Sequence, residues 1–500
     1  MDTPQTAPQT STVAPLDHVT ETVAVLSVPF AKVTEQDTIN AIEAMIAAGK
    51  PHYLATGNVD FLLQASKDVE LRRILHDADL VVCDSKPIVW ISRVLGNALP
   101  ERVAGSDLTP ALLEVAEQKG YSVFFLGGRP DIGERAMENI RKKHPKLTNL
   151  HYYSPPNQPV LEMDHDAINQ RIIDAKPDML FVSFGCPKQE KWIAMNYQKV
   201  GVPMSVGVGA TIDFLAGAVS RAPVWMQKIG LEWLYRMCRE PKRLFKRYMM
   251  GIAFFFIHVP RQILGLATLS KPSGTKSKTT SVPTECPQPE SWHSILLPPR
   301  FDATEVSKSP LANVSLPAKP IAIDGHAVDF IDSTGIGELI SLCKRLRKSA
   351  QPFSLLSPSA PLAKALKLMQ VDSLIPAVDN EDQFAELVGK FRDQLTEQQK
   401  VSATADALTV TWQGEVTAAT TDGLWTDIQS ALTKNESKQT LLVDMSDVTF
   451  VDSTGIGLMV KLKKTLAGKG GEARFVSSPE NVRNVLEHTK MTHYLLGDHD

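Results

Sequence analysis

The chain of 500 residues has 53 lysines and arginines against 56 aspartates and glutamates, a formal net charge of -3, and 43% hydrophobic residues. This composition is ordinary for a soluble protein of about three domains, and its balanced charge gives no support to nucleic-acid binding. The five cysteines include no CxxC pair, which argues against a structural zinc site or a disulfide framework and fits a reducing cytoplasm.

Residues 1–22 are rich in proline and threonine and lack the regions of a secretory signal, so we expect a disordered tail. Short apolar runs then alternate with amphipathic helical patterns up to residue 250. The predicted strands lie at 52–55, 80–83, 122–126, 179–183 and 204–208, with helices such as 131–143 and 188–198 between them. This alternation predicts a Rossmann-like α/β domain, whose parallel sheet is covered on both faces and binds ligands at the carboxyl ends of its strands.

Polar residues follow the first two predicted strands. Thr56 and Asn58 suit the binding of sugar hydroxyls, and Asn58 equally suits capping of the next helix. Asp84 follows the second strand, where partial burial would raise its pKa and make it a base; the alternative is a cap for the next helix. Arg102 has the forked geometry that binds a phosphate or a carboxylate. The acidic pair of Asp77-Ala78-Asp79 precedes a strand, so we expect a helix end there rather than a metal site.

Glycine-rich turns follow the later strands. Gly127 and Gly128 would let a phosphate or a ribose approach a helix N-terminus, although the loop is no GxGxxG motif. Gln189 suits a uracil or ribose edge. Asp213, which follows the turn at Gly209, suits ribose hydroxyls. Each of these positions has the alternative of a turn or a helix cap without a ligand.

A cationic helical pattern precedes an apolar segment. The segment 251–270 is interrupted by Pro260, Arg261 and Gln262, so we expect it to lie at a membrane interface, with a buried core helix as the alternative. The adjoining basic residues favour anionic head groups or a diphosphate over a merely solvated face. They are Arg236, Arg239, Lys242, Arg243, Lys246 and Arg247.

An internal repeat follows a linker rich in Pro, Ser, Thr and Lys at 271–290. The sequence DSTGIG occurs at Asp332 to Gly337 and again at Asp452 to Gly457. The repeat predicts two tandem domains, at 291–390 and 403–500. The segment 391–402 is expected to join them as a helix end or a short linker.

The segments RVAGSDL, FFLGG, FGCPKQEKWI, VGATIDFLAG, RAP and GLEWLYRMCREPKRLFKRY together resemble the WecG/TagA/CpsF family, glycosyltransferase family twenty-six, over residues 25–251. The resemblance implies an inverting, metal-independent enzyme without a cofactor. It would move an N-acetylmannosamine-type sugar or related hexose from a UDP donor to a polyprenyl-diphosphate-linked acceptor in surface polysaccharide synthesis. The implied catalytic residues are Asp84 as general base, with Arg236 and Arg243. The implied substrate-binding residues are Thr56, Asn58, Arg102, Gly127, Gly128, Gln189, Gly209, Asp213 and Arg247.

The repeated domains resemble STAS domains, the small α/β fold of anti-sigma-factor antagonists. That resemblance makes Ser333 and Ser453 phosphorylation candidates, with an unmodified helix cap as the alternative. The expected partners are UDP-sugar, the lipid-linked acceptor, an anionic membrane surface, an anti-sigma factor or kinase and a second copy of the chain, with no nucleic acid. The expected location is the cytoplasm, at the inner face of the cytoplasmic membrane. The chain has Ser85-Lys86 where the family usually has glycine after the aspartate, and this favours the alternative of a catalytically impaired transferase fold acting as a STAS-based signalling or scaffold protein.

Overall fold

The computed structural model describes residues 21–269, 292–308, 311, 314, 316–396, 399–403, 407–435 and 440–497. The predicted tail up to residue 20 and the predicted linker lie outside these residues. The described chain forms an N-terminal domain (21–269), a first repeat domain (292–396) and a second repeat domain (399–497).

The N-terminal domain combines a small hairpin with a six-stranded sheet. Its strands are β1 Thr22–Val25, β2 Val28–Ala31, β3 His52–Gly57, β4 Leu80–Cys83, β5 Val123–Gly127, β6 Leu150–Tyr153, β7 Met179–Ser183 and β8 Met204–Gly207. Its helices are α1 Glu35–Ala48, α2 Val59–Lys67, α3 Val69–Asp77, α4 Lys86–Val94, α5 Gly105–Lys119, α6 Pro130–Lys143, α7 His165–Ala175, α8 Lys188–Val200, α9 Thr211–Leu215, α10 Val224–Lys228, α11 Glu232–Arg239 and α12 Pro241–Leu269. The sheet is parallel throughout, in the order β4-β3-β8-β7-β5-β6, and β1 and β2 pair antiparallel beside it.

The sheet is buried on both faces, which explains its continuous apolar strands. Strand β4 is buried at all four positions and β5 at all five. One hydrophobic cluster joins the sheet to α1, α5, α6 and α9, and a second joins the opposite face to α2, α3, α4, α7, α8 and α12. The carboxyl ends of the strands are left as the edge where polar loops meet.

The predicted parallel sheet is confirmed, and all five predicted strands are present within two residues of their expected ends. Strand β6 and the β1–β2 hairpin were missed. The sequence of β6, LHYY, has one fully buried position, so it lacks the apolar run that marked its neighbours. Helix α12 runs without a break through the predicted boundary at residue 250.

The two repeat domains are small α/β units. The first contains β9 His293–Leu296, β10 Arg300–Phe301, β11 Ile321–Asp324, β12 Phe330–Ile331, β13 Phe353–Leu356 and β14 Ala377–Val378, with α13 Ala303–Lys308, α14 Ser333–Lys348, α15 Ala360–Leu368 and α16 Glu381–Thr396. The second contains β15 Gln399–Ala403, β16 Ala407–Val416, β17 Thr440–Val451 and β18 Glu472–Val476, with α17 Thr421–Lys434, α18 Ser453–Ala467, α19 Glu480–His488 and α20 Thr492–Leu496. Their sheets have the orders β14-β13-β11-β9 and β15-β16-β17-β18. Of the joining segment, residues 391–396 form the end of α16, as the helix-end alternative predicted, and residues 399–402 belong to the edge strand β15.

The DSTGIG motif forms the start of α14 and of α18. Its aspartate is the N-cap: Asp332 accepts from the N–H of Thr334 at 2.7 Å, and Asp452 accepts from the N–H of Gly455 at 2.9 Å. Ser333 and Ser453 are therefore the first helical residues, and the alternative of a serine cap is wrong. The first glycine of the motif is required because an added Cβ would meet a backbone carbonyl of the same domain at both Gly335 and Gly455.

Both repeat domains pack on helix α3 of the N-terminal domain. Arg72 donates to the Gln370 carbonyl of the first repeat domain at 2.7 Å. Arg73 donates to both carboxylate oxygens of Glu415, in the second repeat domain, at 3.0 Å. Neighbouring side chains of one short helix thus hold two different domains.

Candidate active site

A cleft of about 330 Å³ opens at the carboxyl ends of β3, β4 and β8. It brings together eight of the predicted site residues: Thr56, Asn58, Asp84, Arg102, Gln189, Gly209, Arg236 and Arg247. A neighbouring cavity of about 970 Å³ contains the other three that the structure describes, Gly127, Gly128 and Asp213, and shares Gly209 with the cleft. The side chain of Arg243 lies outside the described part of the structure.

Asp84 lies directly after β4 and faces the cleft. A quarter of its side chain is exposed, and its Oδ1 lies 3.6 Å from Nη1 of Arg102. Burial raises the pKa of Asp84 to about 7; the charges of Glu232 and Asp107 add to the rise, and Arg102 and Arg236 oppose it. Near neutral pH this carboxylate can therefore take a proton from a bound hydroxyl.

Asp84 is not the helix cap that its position also suggested. Helix α4 has Ser85 as its N-cap residue, without a side-chain cap bond. Ser85 has φ -156° and ψ 119°, an extended conformation that any residue adopts, so the absence of glycine there introduces no backbone strain. Lys86 lines the cleft and adds a cation beside Asp84.

Arg102 is held by carboxylates rather than left open. Its Nη2 donates to Asp107 at 2.7 Å and its Nη1 donates to Glu232 at 3.1 Å. Arg221 contacts both of these acids, donating to Asp107 and lying 3.8 Å from Glu232. Ionic contacts with both acids thus fix Arg102 beside Asp84.

The sequence pattern does not single out Asp107, Arg221 and Glu232. They lie within the segments RVAGSDL, RAP and GLEWLYR, and only the folded chain brings them into one ion-pair network around Arg102. Helix α5 begins at Gly105, so Asp107 lies in its first turn.

Gln189 connects two glycine loops. Its Oε1 accepts from the N–H groups of Gly185 and Gly209, both at 3.0 Å, and its Nε2 donates to Glu190 at 2.7 Å. The side chain is almost fully buried. These contacts use the amide group to position the two loops, and its predicted contact with a uracil or ribose edge stays a prediction.

Thr56 and Asn58 lie at the base of the cleft. Thr56 is buried and donates to the Gly207 carbonyl at 3.1 Å. Asn58 accepts from the N–H groups of Asp60 and Phe61, so it caps α2, as one of its two readings predicted. Both side chains also line the cleft, so capping leaves the predicted sugar contact open.

Helices α11 and α12 supply the cations of the opposite wall. Arg236 lies over the Phe214 ring at 5.4 Å, and within the described residues no carboxylate lies within ion-pair distance of it. Arg247 is instead paired with Asp60, which is 8% exposed, at 2.6 Å. Asp60 was missed because it reads as an ordinary first-turn acid of α2. Arg236 is therefore the described arginine of the cleft whose charge is left for a ligand.

The neighbouring cavity is bordered by the turn after β5. Gly127 and Gly128 have φ of 97° and 78°, and a Cβ on Gly127 would come within 2.9 Å of the Ser183 carbonyl, so the turn requires glycine. Lys188 donates to Asn157 at 3.2 Å on the same rim. Burial lowers the pKa of Lys188. Glycine backbone and a lysine at one rim suit an anionic ligand.

Exposed apolar side chains lie on α4, on α10 and at its C-cap, and on α12, helices that also supply residues to the cleft. They are Trp90, Val94, Trp225, Ile229, Phe245, Met249, Met250, Phe256, Ile257 and Leu264. The segment Leu244–Leu266 is long and apolar enough to cross a membrane, but the opposite face of α12 contributes Phe255 and Val259 to the core of the N-terminal domain. Gln262 on that face is also buried. The helix is thus packed on one side and apolar on the other.

The Glycosyl transferase WecG/TagA/CpsF family matches residues 23–268, and the STAS domain matches residues 285–384 and 398–498. Bacillus subtilis (strain 168) has a protein named N-acetylglucosaminyldiphosphoundecaprenol N-acetyl-beta-D-mannosaminyltransferase. It is 32% identical over 190 residues, which span 38% of this chain and 72% of that protein. The Staphylococcus aureus (strain MRSA252) protein of the same name is 27% identical over 227 residues, or 45% of this chain and 87% of its own length.

Among solved structures, the unphosphorylated anti-sigma factor antagonist SpoIIAA is 17% identical and covers 20% of this chain and 85% of its own, with a TM-score of 0.18, a similarity too weak to add to these matches. The chain belongs to the WecG/TagA/CpsF glycosyl transferase family, and two STAS domains follow its transferase domain.

Proposed function

We propose that this protein is an inverting, metal-independent glycosyltransferase that moves an N-acetylmannosamine-type sugar from a UDP donor to a polyprenyl-diphosphate-linked acceptor in surface polysaccharide synthesis. The names of the Bacillus and Staphylococcus relatives support the sugar and the acceptor. The observation that carries the proposal is Asp84, a carboxylate with a pKa of about 7 in a cleft whose opposite wall presents the unpaired Arg236.

The two cavities suit the two substrates. The larger cavity would hold the UDP group, because the Gly127–Gly128 turn and Lys188 suit a diphosphate. The donor sugar would then reach the cleft across Gly209, which both cavities share. The acceptor hydroxyl would enter the cleft from the side of α12, whose outer face is apolar, and would approach Asp84.

The chemistry is a direct displacement. The acceptor oxygen forms a bond to the anomeric carbon while the bond from that carbon to the UDP oxygen breaks, and Asp84 takes the hydroxyl proton. Attack opposite the leaving group inverts the anomeric configuration. Arg236 would stabilise the negative charge that develops on UDP, which is the task a metal performs in other transferases.

The apolar outer face of α12 suggests how a lipid-linked acceptor reaches the cleft. Phe256 and Leu264 are 72% and 65% exposed on the outer face of α12; the same helix has the exposed lysines Lys242 and Lys246 in its first two turns, and Arg239 precedes it on α11. Apolar side chains next to cations are typical of a helix that lies in the head-group region of an anionic bilayer. The proposal therefore places the protein at the inner face of the cytoplasmic membrane, with its cleft open to the bilayer.

Release of UDP from UDP-N-acetylmannosamine in the presence of N-acetylglucosaminyl-diphosphoundecaprenol tests the proposal. We expect turnover by the unmodified protein and a loss of about 100-fold or more in Asp84→Asn, because general-base catalysis typically contributes that factor. Asp166→Asn, at an exposed position of α7, is the matched control and should keep full activity. Equal rates for Asp84→Asn and the control would show that Asp84 is not the base, and no turnover by the unmodified protein with any UDP-sugar would favour the scaffold alternative.

A further inference from the structure

Arg102 lies between two acids that come from different parts of the chain. Asp84 follows β4, and Glu232 is the first residue of α11. The same nitrogen of the guanidinium, Nη1, faces both. It donates a hydrogen bond to Oε2 of Glu232 at 3.1 Å, but it lies 3.6 Å from Oδ1 of Asp84, which is too long for a hydrogen bond. Arg102 is therefore bound to Glu232 and only loosely paired with Asp84.

The other contacts of Arg102 fix the direction of its guanidinium. Its Nη2 donates to Asp107, in the first turn of α5, at 2.7 Å. Arg221 contacts both Asp107 and Glu232 and so connects the two acids. None of these four side chains is more than 31% exposed, so water screens their charges only in part. A planar guanidinium held at Nη2 can still turn Nη1 toward either acid, and Glu232 is the acid that binds it.

Charges of both signs act on Asp84. Burial is the largest cause of its pKa of about 7, and among the charged groups Arg102 has the largest effect and lowers the pKa. The other charged groups that face it are Asp107 of α5, Arg221 before α10, Glu232 and Arg236 of α11, and Lys86 of α4. The Asp60–Arg247 pair lines the same cleft and is neutral as a unit. The strongest of the opposing charges is thus the one that Glu232 binds.

Loss of the Glu232 charge would change the partner of Arg102. Nη1 needs to move less than 1 Å to form a charge-assisted hydrogen bond with Asp84, since such bonds are about 2.7–2.9 Å long. A carboxylate bound in this way by an arginine holds its charge more strongly and accepts a proton less readily. The position of Glu232 therefore bears directly on how well Asp84 can act as a base.

We propose that Glu232 is a positioning residue, which competes with Asp84 for Nη1 of Arg102 and thereby leaves Asp84 free to accept the proton of the acceptor hydroxyl. This inference rests on the proposed function, in which Asp84 is the base. Glu232 also lies four residues before Arg236 on α11, so one face of this helix supplies both residues. The same helix thus keeps the base available and presents the cation for the leaving group.

Titration of Asp84 in the full-length protein tests the proposal without any need for turnover. Carbon-13 labelling of the aspartate carboxyl groups allows each to be followed by NMR, and the resonance missing from Asp84→Asn identifies Asp84. Its midpoint should be about 7 in the unmodified protein and about 6 or lower in Glu232→Gln, because a neighbouring arginine lowers the pKa of an aspartate by about 1–3. Glu138→Gln, at an exposed position of α6, is the matched control and should leave the midpoint at about 7. An unchanged midpoint in Glu232→Gln would overturn the proposal.

A second pair of variants separates competition for Arg102 from direct repulsion between the two acids. In an Arg102→Gln background no guanidinium is left to transfer, so Glu232→Gln should lower the midpoint of Asp84 by less than half as much as it does in the presence of Arg102. Equal effects of Glu232→Gln in both backgrounds would show that Glu232 acts on Asp84 by repulsion alone, and the proposal would be wrong.

The pH dependence of kcat/KM separates this inference from the proposed function. In Glu232→Gln the rise of kcat/KM with pH should move to lower pH together with the NMR midpoint, and the plateau should fall by up to about tenfold, because a weaker base accepts the proton less well. A merely structural role would lower kcat/KM at every pH without moving the profile, and that result would refute the positioning role. A lowered midpoint in a protein without turnover would refute the proposed function and leave the competition for Arg102 established.

Discussion

The second glycine of the DSTGIG motif gives a prediction with an internal control. An added Cβ on Gly337 would lie 2.7 Å from Oγ1 and 2.8 Å from the carbonyl oxygen of Thr22, in strand β1. Strand β1 cannot move away cheaply, because every residue of it pairs with β2 and Val23 and Ala24 are fully buried. An added Cβ on Gly457 would meet no atom within 4 Å. The same substitution therefore probes a crowded and an open position of one motif.

The two substitutions should have different effects on stability. Both glycines lie inside a helix, where alanine gains about 1 kcal/mol over glycine. Gly457→Ala should therefore stabilise the second repeat domain by about 1 kcal/mol. Gly337→Ala gains the same amount but loses about 1–3 kcal/mol to overpacking against β1, so its net effect should be from zero to about 2 kcal/mol of destabilisation.

Scanning calorimetry of the full-length variants measures both effects. For a unit of about 100 residues, 1 kcal/mol corresponds to a shift in Tm of about 4–8 °C, upward for Gly457→Ala and zero or downward for Gly337→Ala. Faster hydrogen exchange in both α14 and β1 of the Gly337→Ala variant would show that the loss of stability arises at this contact. Equal increases in Tm for both variants would show that α14 does not pack against β1 as closely as described.

Two further predictions concern the site and the membrane face. Because the pKa of Asp84 is raised to about 7 and the base must be deprotonated, kcat/KM should rise as pH increases toward 7 and level off above it; a pH profile that is flat between 5.5 and 8 would contradict this role. Phe256→Glu combined with Leu264→Glu should reduce sedimentation with anionic vesicles by about tenfold or more, because both side chains are exposed and removing two such apolar contacts weakens insertion. Ile173→Glu, at an exposed position on α7, is the control and should bind like the unmodified protein.

Local hydrophobic patterns in the sequence were enough to predict the buried strands and the loops that follow them. The buried strands β4 and β7 have the bounds that their apolar runs predicted, and the loops after the strands converge on one edge as parallel topology requires. The position of Asp84 follows from that rule alone. The acids of Asp77-Ala78-Asp79 were also predicted correctly as a helix end, since α3 ends at Asp77.

Pairing between distant side chains could not be predicted in this way. Asp60 and Arg247 are 187 positions apart, and nothing in the helix α2 marks Asp60 as the partner of a cation in the cleft. The two motif serines show the same limit, because identical local sequence meets Gln262 in one domain and Glu70 in the other. These contacts depend on how whole domains pack against each other, and the local hydrophobic pattern of the sequence does not show that packing.

The burial of Ser453 has a kinetic consequence. An enzyme that modified this hydroxyl could act only on molecules in which the second repeat domain had separated from α3, since 3% of the residue is exposed in the packed state. When separation is fast compared with modification, the observed rate equals the rate on the free domain multiplied by the fraction of separated molecules. Any ligand of the transferase domain that tightens or loosens α3 would then change the rate of modification without contacting the modifying enzyme.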